Sequence, residues 1–144
     1  MDDRELIIEL KENLNRSIWN KDVAGTISVF ADRSVMFVLA PPLQFETGVN
    51  APGSDGLEDW FSTFESQIEL IFDDIEIVFD GNVAFTHCLE NMKGKRTDGS
   101  YTDLWYRETL GLQKIDGQWK ITHQHQSVPM YMDGTDRAAT DLKP

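Results

Sequence analysis

The chain has 144 residues, 40% of them hydrophobic, with four Trp and eight Phe, which suits one domain with a real core and excludes a disordered chain. A formal charge of −12 disfavours nucleic-acid phosphates and anionic lipid heads as partners. The single cysteine, Cys88, excludes an internal disulfide, and no apolar run reads as a signal peptide or approaches the ~20 residues of a membrane span, so a cytoplasmic location is expected.

Asp2 or Asp3 caps a first helix running to about Asn20, whose stripe is Leu6, Leu10, Leu14 and Ile18 with Ile7 beside it. Asp22 then caps a short helix with Val23, Ile27 and Phe30 as its apolar positions. Ser34 to Leu39 reads as a buried strand stopped by Pro41-Pro42. An irregular loop, Gly48 to Gly56, leads to a third helix in which Asp55 and Glu58 resemble a capping box and Leu57, Trp60, Phe61 and Phe64 point inward.

The remainder is β. Ile68, Leu70 and Phe72 alternate on even numbers, whereas Ile75, Ile77 and Phe79 alternate on odd ones. A period of two changes phase only through an extra residue, so a β-bulge is predicted at Asp73-Asp74. Asp80-Gly81-Asn82 turns into a strand from Val83 to Met92, and Lys93 to Ser100 forms a polar hairpin loop. Two further strands meet at Asp116-Gly117, a strong hairpin signal. Helix, helix, strand, helix and four strands make an α+β domain. The segment 133–144 is polar and reads as an extended or mobile tail to a domain spanning 1–132.

This order resembles the NTF2-like superfamily, above all its SnoaL-like and ketosteroid-isomerase-like branch. The carrying residues are Asp22-Val23-Ala24-Gly25 with Val29-Phe30-Ala31-Asp32, then Trp105-Tyr106-Arg107-Glu108-Thr109, then the closing run from Asp116 to Ser127. The resemblance implies a cone: a strongly curved antiparallel sheet with three helices on its concave side, enclosing a pocket, and a convex side that makes a homodimer. It does not supply a reaction, since the superfamily holds isomerases, cyclases, dehydratases and assembly domains. Aligned on Phe30-Ala31-Asp32, the isomerases' general base falls on Val38 and their oxyanion-donating Tyr on Leu14. Their oxyanion-hole Asp falls near Thr109 or Leu110. Val38 and Leu14 cannot move a proton, and Thr109 and Leu110 are not acids, so steroid isomerisation by that mechanism is disfavoured.

Candidate site residues depend on the last hairpin. A two-residue loop sets Glu108 opposite His125, and a three-residue loop with left-handed Gly117 sets Arg107 there instead. In both, His123 and His125 share a face with Trp119 and Ile121, while Thr122, Gln124 and Gln126 take the other. The resemblance favours the second register, with Gln124 and Gln126 looking into the cone and Trp105, Arg107, His123 and His125 facing a partner subunit. Two histidines one residue apart, with His87 or Glu108, invite a metal, but spacing of this kind is weak and structural histidines are the expectation. Thr86 and Glu90, on the same face as Cys88, give little reason to expect a nucleophile, and a buried or half-buried thiol is expected.

The expected function is binding of a small, mostly apolar organic molecule, with proton transfer of the isomerase, cyclase or dehydratase kind and no cofactor or metal. Glu108 would be the proton carrier, its pKa raised by an apolar chamber if it points into the cone; the alternative is a solvent-screened Glu108 paired with Arg107 or a lysine. Gln124 and Gln126 would orient a carbonyl or hydroxyl, and Leu14, Ile18, Val38 and Trp60 would form the wall. The alternative is a non-catalytic assembly or sensor domain that dimerises through the convex face.

Overall fold

The computed structural model describes residues 1–144. Helix α1 spans Asp3–Trp19 and starts at a full capping box: Glu5 N–H donates to Asp2, and Asp2 N–H donates to the Glu5 carboxylate. It buries Ile7, Leu10, Leu14 and Ile18, and among them Lys11 and Asn15. Helix α2, Val23–Ser28, is capped by Asp22 as expected, but Ile27 is exposed and Thr26 is buried in its place. With only six residues, α2 turns just one narrow face inward, and Thr26 satisfies its hydroxyl on the Asp22 carbonyl at 2.7 Å.

Strand β1 runs Phe30–Phe37, starting ahead of the expected Ser34. A short β2, Phe45–Glu46, pairs antiparallel with it and has no counterpart in the sequence reading. Helix α3, Ser54–Ser62, begins at Gly53 without a side-chain cap, so the Asp55–Glu58 capping box does not form. Strands β3 (Glu69–Asp80), β4 (Val83–Lys95), β5 (Tyr101–Ile115) and β6 (Gln118–Ser127) complete a sheet of order β2-β1-β6-β5-β4-β3. The sheet is mixed rather than wholly antiparallel, because β1 runs parallel to β6.

The predicted bulge is present in β3. Asp73 pairs with Leu89 and Glu76 with His87, so Asp74 and Ile75 together face Cys88, and Asp74 has φ 40°. A second bulge, at Thr122 of β6, was not foreseen. The β5–β6 turn is the two-residue one, with Asp116 and Gly117 both at positive φ (52° and 80°), the geometry Asp-Gly favours. Pairing then slips by one residue: Leu112 faces Ile121, but Gly111 faces His123. His125 therefore lies opposite Thr109 rather than Glu108 or Arg107, and Glu108 lies opposite Gln126.

The slip corrects the facial assignment. Trp119 and Ile121 point to the concave side together with Gln124 and Gln126, because the bulge restores the phase between them. The apolar core holds α1 against this side through Ile7, Leu10, Leu14 and Ile18 packed with Ile77, Leu110, Leu112, Trp119 and Ile121. The tail does not extend away. It folds back on residues 129–131, with a bridge between Met130 and Ala138, and Ala139 is buried. No helix is long and apolar enough to cross a membrane.

Candidate active site in the cone

The concave face divides along the strands. Toward the Asp116-Gly117 end its rows are Ala84, Leu112 and Ile121, then Thr86, Leu110 and Gln124. Toward the other end they become Cys88, Glu108 and Gln126, then Glu90 and Tyr106. The first half packs apolar side chains under α1, and the second sets carboxyl, phenol and amide groups under the same helix.

Lys11 supplies the counter-charge. It occupies the inward stripe of α1 between Ile7 and Leu14, and its Nζ lies 2.6 Å from both Glu90 and Glu108. Lys11 and Glu90 are each 1% exposed and Glu108 2%, so all three are sealed from water. Each carboxylate has further donors. Gln124 and Gln126 both donate to Glu108 Oε2 at 3.1 Å. Glu90 accepts the Tyr106 hydroxyl and, at 3.2 Å, the amide nitrogen of Asn15. Buried charges require this degree of pairing to persist.

Electrostatics follow from that packing. Burial pushes the Glu108 carboxyl upward, but the Lys11 charge and the hydrogen bonds from Lys11, Gln126 and Gln124 together outweigh it, and its pKa is lowered. The value raised by an apolar chamber does not arise, because the Lys11 ammonium sits 2.6 Å from the carboxylate. Burial alone would depress the Lys11 ammonium, but the Glu108 and Glu90 charges win and raise it. Burial, reinforced by the Glu90 and Glu108 charges, holds the Tyr106 phenol well above its ordinary value. Burial likewise pushes the Cys88 thiol up to about 12, so it is no nucleophile at neutral pH.

The structure thus brings Glu108, Gln124 and Gln126 into one cluster. Leu14 and Ile18 sit in the apolar core with Trp60 packed against it, whereas Val38 is half-buried just beyond β1 and outside that core. Trp105, Arg107, His123 and His125 lie on strands β5 and β6 on the side away from Glu108 and the glutamines. Phe37 meets His123 and His125 edge-on at 4.9 and 5.3 Å, His123 Nδ1 is 2.7 Å from the Val35 carbonyl oxygen, and Arg107 donates to Ser127 at 3.0 Å. His87 is separated from His125 by Thr109 in the same row, and no three His, Cys, Asp or Glu residues converge on a common ion position. A cleft of about 400 Å³ opens at the β3 bulge, lined by Asp73, Asp74, His87, Leu89, Arg107 and Thr109 among others.

Sequence reasoning missed Lys11, Asn15, Glu90 and Tyr106. Their signal was positional: Lys11 lies four residues after Ile7 and three before Leu14, and Glu90 continues the inward alternation Thr86, Cys88.

A six-stranded, curved, unclosed sheet wrapped around helices, with polar groups gathered inside, defines the NTF2-like cone fold. The chain belongs to the SnoaL-like domain family, whose model matches residues 7–131. It is similar to an NTF2-like protein of unknown function from Pseudomonas putida KT2440, at 25% identity and TM-score 0.83, over 100% of this chain and 99% of that one. A proposed scytalone dehydratase from Novosphingobium aromaticivorans shares the fold at 18% identity and TM-score 0.72, over 98% and 93% of the two chains. So does a proposed ketosteroid isomerase from Shewanella frigidimarina, at 20% identity and TM-score 0.67, over 83% and 92%. No curated protein matches the chain.

Proposed function

We propose that this SnoaL-like domain binds a small, mostly apolar organic molecule under α1 and moves a proton on it, as a cofactor-independent isomerase, cyclase or dehydratase would. The observation that carries this reading is the sealed Lys11–Glu90–Glu108 cluster at the polar end of an otherwise apolar cone. Such a cluster is a poor device for stability, since well-packed apolar side chains of similar volume commonly do as well or better. It is a good device for chemistry, because fixed charges in a dry site act strongly on charge that develops in a reaction.

In this reading Glu108 is the base, already ionised at neutral pH because its pKa is lowered. It takes a proton from a carbon beside a ligand carbonyl or hydroxyl-bearing carbon, and the proton returns to the product through Glu108 or Lys11. Lys11 stabilises the negative charge that forms on the ligand oxygen. Gln124 and Gln126, which now hold Glu108 Oε2, orient the ligand when one of them releases it. Leu14, Ile18, Val38 and Trp60 form the wall.

The test is Glu108→Gln, read by native mass spectrometry of the purified protein and by turnover of any molecule it releases. Glutamine keeps the shape and still leaves Glu90 to pair with Lys11, so the fold should survive while ligand binding or turnover is lost. A variant that binds and turns over normally removes Glu108 from the mechanism.

A second reading, assembly through the outer face of the sheet, is favoured by its exposed apolar side chains, Ile71, Phe85, Leu89 and Tyr101. A homodimer formed there would also engage Trp105, Arg107, His123 and His125. Trp105→Ala or His125→Ala should then shift the protein to monomer in sedimentation at low micromolar concentration. Variants that sediment as the parent does would place the interface elsewhere.

A further inference from the structure

Two hydrogen-bonding positions in the buried cluster are unused, and both belong to α1. Asn15 donates through Nδ2 to the Leu70 carbonyl oxygen and to Glu90 Oε2, each at 3.2 Å, while its own Oδ1 is buried without a partner. The amide cannot be turned round to relieve this, since a backbone carbonyl only accepts. Lys11, one helical turn earlier, commits two of its three ammonium hydrogens to Glu90 and Glu108. The third has nothing better than the Phe72 ring, 5.9 Å from Nζ to the centroid. A spare acceptor and a spare donor thus stand four residues apart on one helix face.

One functional group satisfies both: a hydroxyl accepts from Lys11 and donates to Asn15. A ketone accepts from Lys11 but leaves Asn15 Oδ1 unpaired, and a hydrocarbon leaves both. We infer that Lys11 and Asn15 form a hydroxyl-recognising subsite, so that the ligand of this cone is an alcohol on an apolar skeleton. The inference rests on the ligand-binding reading above and narrows its substrate class. It favours loss of water over migration of a double bond. Glu108 takes the proton from carbon, the carbon–oxygen bond breaks, and the departing hydroxide takes a proton from Lys11 to leave as water. The alkene forms with the electron pair of the broken carbon–hydrogen bond. Glu108 then returns its proton to Lys11 across their 2.6 Å contact, and the site is reset without an outside donor.

Three probes on one skeleton test this: 1-tetralol, 1-tetralone and tetralin, titrated against the intact chain by ligand-observed NMR. The hydroxyl compound should bind about tenfold tighter than either of the others, because each of those leaves a buried acceptor unpaired. Asn15→Leu should erase that preference while tetralin binding is kept or improved. Equal affinity of the wild type for all three would show that ordered water, not a ligand hydroxyl, satisfies Asn15, and would overturn the subsite while leaving the binding cone intact. That comparison needs no variant, so a misfolded Asn15→Leu does not shield the inference. Failure of all three to bind would remove the ligand-binding reading and the subsite with it.

Discussion

Lys11→Met tests whether the buried cluster is as tightly interdependent as its geometry implies. Methionine fills the volume of the lysine stem and removes only the charge, leaving Glu90 and Glu108 facing each other with no cation and almost no water. Removing one partner from a buried ion pair costs about 3–5 kcal/mol. At about 2.1 cal/mol/K of unfolding entropy per residue, a chain of 144 residues unfolds with about 0.3 kcal/mol/K, so a loss of about 4 kcal/mol lowers Tm by about 13 °C. A companion variant, Lys11→Met with Glu90→Gln and Glu108→Gln, removes all three charges and should recover most of that loss.

In the wild type the folded-state pKa of Glu108 is lowered, so its stabilisation is present above the ordinary carboxyl value and fades as pH falls through the folded one. Without Lys11 only the Gln126 and Gln124 hydrogen bonds still oppose burial, so the folded pKa of Glu108 rises and the carboxylate destabilises the fold at neutral pH. Acidification then relieves the variant while it weakens the wild type through this group. Thermal melts between pH 4 and pH 8 should therefore show the gap in Tm narrowing toward acid. A Lys11→Met protein within about 1 kcal/mol of wild type, with an unchanged pH profile, would refute the account of Lys11 as the counter-ion.

Other outcomes follow from the same contacts. Gly94→Ala puts a Cβ 2.6 Å from a Phe64 ring carbon and 3.1 Å from the Gln67 carbonyl oxygen, on a ring held by Arg96 at 3.8 Å. Urea unfolding should register a loss of about 1–3 kcal/mol, and an unchanged midpoint would mean the ring moves freely. Cys88, with its thiol at about 12 against an ordinary 9.0, should react with iodoacetamide about a thousandfold more slowly in the folded protein at pH 8 than in urea. Comparable rates would show that strand β4 opens at the cone.

The two bulges show what makes such features legible. In β3 the extra residue lies between two apolar triplets, so the phase change from Ile68, Leu70, Phe72 to Ile75, Ile77 is visible in the sequence. In β6 it follows Trp119 and Ile121 but precedes His123-Gln124-His125-Gln126, where both faces are polar and alternation carries no phase. The two-residue Asp116-Gly117 turn was readable from its chemistry, yet the pairing beyond Thr122 was not. Strand β2 was invisible for a different reason. It has two residues and is held by Thr47, whose side chain meets Ser34 N–H at 2.7 Å, and by Asn50, which receives Glu46 N–H at 2.8 Å. The site was legible in its inward sheet residues and not in its centre, because a lysine on an apolar stripe reads as a flaw until the carboxylates opposite it are placed.

The closed cluster also limits what can enter. Glu108 has three donors, and Glu90 has three of its own, so a ligand gains nothing by offering hydrogen bonds in general. It gains only where a group is short of a partner, or where it replaces a bond it breaks at equal strength. Gln126 is the member most readily released, since it is only half-buried where Gln124 is nearly sealed, and Glu108 would still keep Lys11 and Gln124. Under the proposed function, freeing that one lone pair would turn a fully satisfied carboxylate into a base with an open position. In the proposed reading, binding and activation would then be one event: the molecule that draws Gln126 away would be the one on which Glu108 acts.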